Sequence, residues 1–213
     1  MAVAVAAVAL LDTLVAGCAP LPQRDSTLTL TDAPSPSESV AGDGSVNVGV
    51  LTDAVPVAPP THLTFPAAGI DGDVDEYTAA DAEADGGINP PRLDSISWYS
   101  GVEGALPGSD ATNTVYLFGH TWTEPAVFNG LRDVAAGDEA TVSTERGVMT
   151  YRVEEIITMS KSDFSEDPRV AAVVPGRLAL VSCYRPGGLD AEARAPDNIV
   201  VFLHLVGARP LAD

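Results

Sequence analysis

Apolar residues in this chain gather into short runs cut apart by Gly, Pro and Asp, and helical periodicity is weak throughout. Short runs bounded by turn formers are the signature of β-strands. From Thr61 onward they predict strands at Leu63 to Phe65 with Gly69-Ile70, then Val74 to Tyr77, Thr114 to Phe118 and Glu139 to Ser143, followed by Met149 to Met159, Arg177 to Cys183 and Ile199 to Val206. Thr78 to Ala84 and Val127 to Leu131 are each expected to make a helical turn or two. The fold class that follows is all-β, a barrel or sandwich. Two runs stand out, Val115-Tyr116-Leu117-Phe118-Gly119-His120 and Leu178-Ala179-Leu180-Val181-Ser182-Cys183, because each delivers one reactive side chain at its end.

Upstream of Thr61 the pattern changes. Residues 2 to 17 form one apolar run, too short for a comfortable membrane span and ending in small residues directly before Cys18, which reads as an export signal. Leu14-Val15-Ala16-Gly17-Cys18 also resembles a bacterial lipoprotein lipobox, in which the cysteine is lipidated and becomes the new N-terminus. An uncleaved signal anchor and a chain start farther upstream are the alternatives, and all three place the domain at a membrane on its exported side. Residues 19 to about 60 are rich in Pro, Ser, Gly, Thr and Asp, a composition that cannot bury enough apolar surface to offset its ordering entropy. Val46 to Val57 is nevertheless apolar enough to dock locally, and Pro59-Pro60 marks the domain edge. The expected organisation is an export signal or lipoprotein-type anchor over 1–18, a flexible linker over 19–59 and a folded β-domain over 60–213.

Composition narrows the partners. The 213 residues carry a formal net charge of −19, which repels phosphate backbones and argues against nucleic acid. With 46% hydrophobic residues the domain has material for a core without metals or staples. Asp71 to Asp85 holds seven acidic residues but lacks the alternating ligand spacing and turn glycine of an EF-hand loop, so it is expected to be a solvated acidic face. Asp163, Glu166 and Asp167 fall in a second acidic stretch, expected to be a solvent-exposed loop.

Of the two cysteines, Cys183 has only Cys18 as a possible partner, at the far end of a flexible stalk, so a disulfide is disfavoured. The Tyr184-Arg185-Pro186-Gly187-Gly188 that follows places Cys183 at a strand end, where a thiol faces a cleft. His120 has the same setting, after a glycine at the end of an apolar strand, whereas His62 and His204 do not. A single cysteine and a strand-end histidine in one domain suit nucleophilic acyl transfer. A tetrahedral metal site would need three or four ligands, and none are spaced around either residue.

The order of a Gly-His strand end, a strand finishing in Leu180-Val181-Ser182-Cys183, and an arginine shortly before Asn198-Ile199-Val200-Val201 resembles the sortases, cysteine transpeptidases of Gram-positive bacterial surfaces. Trp98-Tyr99 before a Gly-rich turn and Gly137-Asp138-Glu139 leading into the long Thr150 to Phe164 hairpin belong to the same likeness, which covers roughly residues 60 to 209 and is most similar to the compact actinobacterial members of class E/F type. The family strand usually ends Thr-Leu-x-Thr-Cys, from which Ala179 and Ser182 depart. The resemblance implies an eight-stranded sortase-like β-barrel with one or two short helices, no cofactor, and His120, Cys183 and an arginine meeting in one groove. Arg194 is the expected arginine and Arg185 its rival. The substrates implied are sorting-signal peptides of Leu-Pro-x-Thr-Gly type and an amine acceptor, either a cell-wall precursor or a pilin lysine. Two other acyl-transferring families fit less well: L,D-transpeptidases carry Ser-His-Gly-Cys, and papain-like proteases place Cys before His. A membrane-tethered, non-catalytic β-barrel binding lipoprotein is the alternative of another class.

Overall fold

The computed structural model describes residues 54–189 and 195–211; the export segment, Cys18, most of the linker and Arg194 lie outside the described residues. Eight strands close into a barrel: β1 (Pro60–Phe65), β2 (Ile70–Tyr77), β3 (Ile96–Tyr99), β4 (Val115–Phe118), β5 (Glu139–Thr144), β6 (Gly147–Ser160), β7 (Arg177–Tyr184) and β8 (Asp197–Pro210). Around the barrel their order is β1-β2-β3-β4-β7-β8-β6-β5. Two short helices, α1 (Ala79–Ala84) and α2 (Pro168–Ala171), complete the all-β architecture that the sequence implied.

The predicted strands are present except that Gly69-Ile70, grouped with Leu63 to Phe65, is set apart from it by a 3₁₀ turn at Pro66–Ala68, and Ile70 opens β2; the other departures also have local causes. Strand β3 was not anticipated; only four residues long, it is recruited by parallel pairing with β2, in which Val74 lies opposite Ile96 and Tyr77 opposite Tyr99. Thr78 caps α1 by accepting from the Asp81 amide, while the Asp81 carboxylate takes the Thr78 amide in return, a reciprocal arrangement that satisfies two otherwise unpaired donors. The expected helical turn at Val127 to Leu131 is a 3₁₀ turn shifted to Asn129–Asp133. Helix α2 falls in a stretch expected to be loop. It starts at Pro168, whose fixed φ suits a first helical position, and Asp167 caps it through the Arg169 amide. Docking upstream of Pro59-Pro60 is real at Val55, which is fully buried: its amide donates to Ser109 Oγ (3.0 Å) and its carbonyl accepts from the Ser109 amide (2.8 Å).

Strands β4 and β7 explain why their sequences read as unbroken apolar runs. They are parallel neighbours, buried on both faces, and so have no solvent side to be marked by polar residues. Leu117, Leu178 and Leu180 face the barrel interior with Phe65, Ile96 and Leu203. Tyr116, Phe118, Ala179 and Val181 face outward and pack with Val200 and Phe202 of β8, Ile157 of β6 and Val170 of α2. Arg177, almost wholly buried at the start of β7, braces this outer layer: its guanidinium lies 4.6 Å from the Phe202 ring centroid, donates to Thr114 Oγ1 (2.8 Å) and caps the Ala172 carbonyl (3.0 Å).

Candidate active site

The pairing of β4 with β7 brings the two reactive positions together. Val115 lies opposite Leu178 and Phe118 opposite Val181, so continuing the register by two residues sets His120 beside Cys183. Four hydrogen bonds carry the pairing past the end of β4. The Gly119 amide donates to the Val181 carbonyl (3.3 Å), Ser182 Oγ donates to the Gly119 carbonyl (2.7 Å), Thr121 Oγ1 donates to the Cys183 carbonyl (2.6 Å), and Arg185 Nη1 donates to the Thr121 carbonyl (3.3 Å). Ser182 therefore supplies the bond that a threonine hydroxyl in its place also could.

Gly119 is required by a close approach. A Cβ built there would lie 2.8 Å from ring atoms of Phe128 and 2.8 Å from a Val127 methyl, and Phe128 is fully buried in the barrel core. The Phe128 amide also donates to the His120 carbonyl (3.0 Å). The backbone carrying His120 is thus pressed onto the core on one side and stitched to β7 on the other.

His120 and Cys183 line one groove of about 480 Å³, together with Asn89, Pro90, Lys161 and Asn198. Cys183 is half-buried and unpaired, as an accessible nucleophile must be. His120 Nε2 sits 2.7 Å from the Pro90 carbonyl, an acceptor only, so Nε2 carries its proton there and Nδ1 is the nitrogen at which a proton can be exchanged. Phe118, Ile88 and Phe164 line this groove and also an adjoining apolar cavity of about 310 Å³ that reaches Tyr116, Val102 and Val173. A larger concavity of about 670 Å³ holds Asp71, Asp94 and Glu124 and neither reactive residue.

The other sequence candidates are placed as follows. Arg185 is 5% exposed, its guanidinium 5.0 Å from the Trp122 ring centroid, and it is not among the residues lining the groove. Arg194 lies outside the described residues. His62 is on β1 between Asp71 (2.7 Å) and Asp73 (2.9 Å), and His204 is on β8; neither lines the groove. Within the acidic tract, Asp85 accepts from Tyr77 Oη (2.7 Å) and Asp81 is spent on the helix cap. In the loop after β6, both Asp167 oxygens are engaged by Arg169, which holds that carboxyl well below its ordinary range, at about 2. Sequence reasoning missed Lys161 and Asn198 as groove residues. Asn198 had one available signal, its place in the strand that must return beside Cys183, and the structure sets it directly opposite that cysteine.

The family model of the sortase domain matches residues 64–206, well over half of the chain. The chain belongs to the sortase family. Solved sortases share its fold. Sortase A from Listeria monocytogenes aligns with a TM-score of 0.51 at 17% identity, over 73% of this chain and 92% of that one. Sortase A from Actinomyces oris gives 0.53 at 15% identity, over 76% and 89%. Sortase E1 from Streptomyces coelicolor, solved with a tripeptide in its active site, gives 0.51 at 19% identity, over 71% and 90%. No curated protein matches the sequence.

Proposed function

We propose that this sortase is an extracytoplasmic cysteine transpeptidase that cleaves a sorting signal of Leu-Pro-x-Thr-Gly type between Thr and Gly and transfers the threonyl carbonyl to an amine. The observation that carries this reading is the single groove into which parallel strands β4 and β7 deliver His120 and the unpaired Cys183. Cys183, as thiolate, attacks the threonine carbonyl carbon; the carbon–nitrogen bond to glycine breaks, and His120 gives its Nδ1 proton to the departing amine, leaving a thioester. The acceptor amine then attacks the thioester, His120 takes its proton, and the Cys183 thiolate leaves. Arg194 is the proposed donor to the carbonyl oxygen as negative charge develops on it, a contribution of about 10²–10³ in rate per donor in other acyl-transfer enzymes. Two facts support it over Arg185: the chain returns after Arg194 to pair Asn198 with Cys183, and the Arg185 guanidinium is held by Thr121 and Trp122.

The reaction needs no cofactor. The N-terminal apolar segment is the proposed tether to the exported face of a membrane, through Cys18 if lipidated; among the described residues no helix is long and apolar enough to cross one. The amine comes from a cell-wall precursor or a pilin lysine. A Leu-Pro-x-Thr-Gly peptide library with hydroxylamine as acceptor tests the function. The parent is expected to form the hydroxamate and Cys183→Ala none above background; equal turnover by both overturns the assignment.

A further inference from the structure

Lys161 is the only lysine in a chain that holds 30 Asp and Glu residues, and it lines the groove with His120 and Cys183. None of the described residues lining that groove is Asp or Glu, whereas the larger concavity elsewhere on the barrel carries three carboxylates. Histidine aside, Lys161 is therefore the one charged side chain among the described residues that line the groove, on an otherwise strongly anionic domain. Lys161 makes no ion pair among the described residues. Only its backbone is held, the amide donating to the Pro196 carbonyl (3.3 Å) at the entry to β8.

Strand register fixes how far Lys161 stands from the thiol. Cys183, Asn198 and Met159 form one row across β7, β8 and β6. Neighbouring strands lie about 4.8 Å apart, so the row spans about 10 Å, and Lys161, one residue past the end of β6, lines the same groove. A lysine stem covers several ångströms of that span. Its ammonium therefore reaches a peptide side chain within about three residues of the attacked carbonyl, since an extended peptide advances about 3.3 Å per residue. In a Leu-Pro-x-Thr-Gly signal the only position there free to carry charge is x.

We infer that Lys161 is a specificity-determining residue that pairs with an acidic side chain at x, so that the substrates of this enzyme carry Asp or Glu immediately before the threonine. This rests on the transpeptidase reading above and deepens it. An exposed pair of this kind discriminates by about two- to fivefold and is screened by salt.

The test measures kcat/KM for three peptides, with x as Glu, Gln or Lys, in low salt and in 0.5 M salt (roughly, enough to shrink the Debye length below 5 Å). The enzymes are the parent, Lys161→Met and Lys161→Glu. The parent is expected to prefer Glu over Gln over Lys in low salt, Lys161→Met to lose most of that order and Lys161→Glu to reverse it, with all differences collapsing in high salt. The readout is the ratio between peptides within each enzyme, so an overall change in rate does not disturb it. The same ratio in all three enzymes overturns the role of Lys161 while leaving transpeptidation intact. Failure of the parent to cleave any of the peptides overturns the transpeptidase reading, and this proposal with it.

Discussion

Strands β4 and β7 present two faces of nearly equal apolarity, and the two faces are finished differently. Inward, Leu117, Leu178 and Leu180 are completely buried in a closed barrel core. Outward, Tyr116, Phe118, Ala179 and Val181 are covered by loops and by α2, and at the rim the partners Ile88, Val102 and Phe164 are only partly buried. The interior is sealed by strand pairing. The exterior is sealed by segments that need not close completely, and where they do not, the groove begins. The same apolar strands therefore supply stability on one face and the floor of the groove on the other, with His120 just beyond the end of β4 and Cys183 near the end of β7.

Substitutions on the two faces should separate these roles. The largest effect is expected at the rim: His120→Ala should lower kcat/KM by about 10²–10⁴ in the hydroxylamine assay while leaving the fold intact by circular dichroism. Leu180→Ala, on the inner face, should cost about 2–5 kcal/mol in denaturant unfolding, because a fully buried leucine leaves a cavity. Phe118→Ala, two strand positions before His120, should instead raise KM for peptide more than it lowers stability, since that ring borders both the groove and the apolar cavity. A similar stability loss for Leu180→Ala and Phe118→Ala, with KM unmoved, would erase the distinction. Thr121→Val removes the bond to the Cys183 carbonyl while keeping side-chain volume; about a three- to tenfold fall in kcat with a small shift in melting temperature is expected.

The smallest effect lies away from both faces. Hydrogen bonds that His62 donates to the Asp73 and Asp71 carboxylates raise its pKa above its ordinary value of 6.5. The protonated form is the one stabilised in the fold, so the contribution is full below 6.5 and fades as pH rises through the higher folded value. The melting-temperature difference between parent and His62→Ala should accordingly be larger at pH 5.5 (about one unit below the ordinary value) and shrink steadily as pH is raised into the alkaline range. Because His62 is partly exposed, that difference should remain small even at the lower pH.

Local chemistry made the strand ends legible. A glycine before His120 and a Pro-Gly-Gly turn after Cys183 announce places where chain direction changes, and the apolar runs before them announce strands buried on both sides. Strand β3 was not legible because four residues including Ser97 carry no pattern of their own; pairing with β2 makes them a strand. Helix α2 was hidden for a related reason: four residues held by a proline, an Asp167 cap and a buried Val170 fall below any periodic signal. Lys161 was invisible as a groove residue because its position depends on the registers of three strands at once, with no motif around it. Arg194 lies outside the described residues, so its proposed part in the chemistry is argued from chain connectivity alone.

The parallel pairing of β4 with β7 also bears on when reactivity arises. Parallel neighbours cannot be joined by a tight hairpin, and here β5, β6 and α2 lie between them in the chain. Strand β7 is held between β4 and β8, and β8 is the last of the eight barrel strands in chain order. Contacts so distant in sequence form late, after the closure entropy of the intervening chain has been overcome. A nascent or half-folded chain therefore holds a thiol and an imidazole that have not yet met, and under the proposed mechanism acyl transfer begins only as the barrel closes.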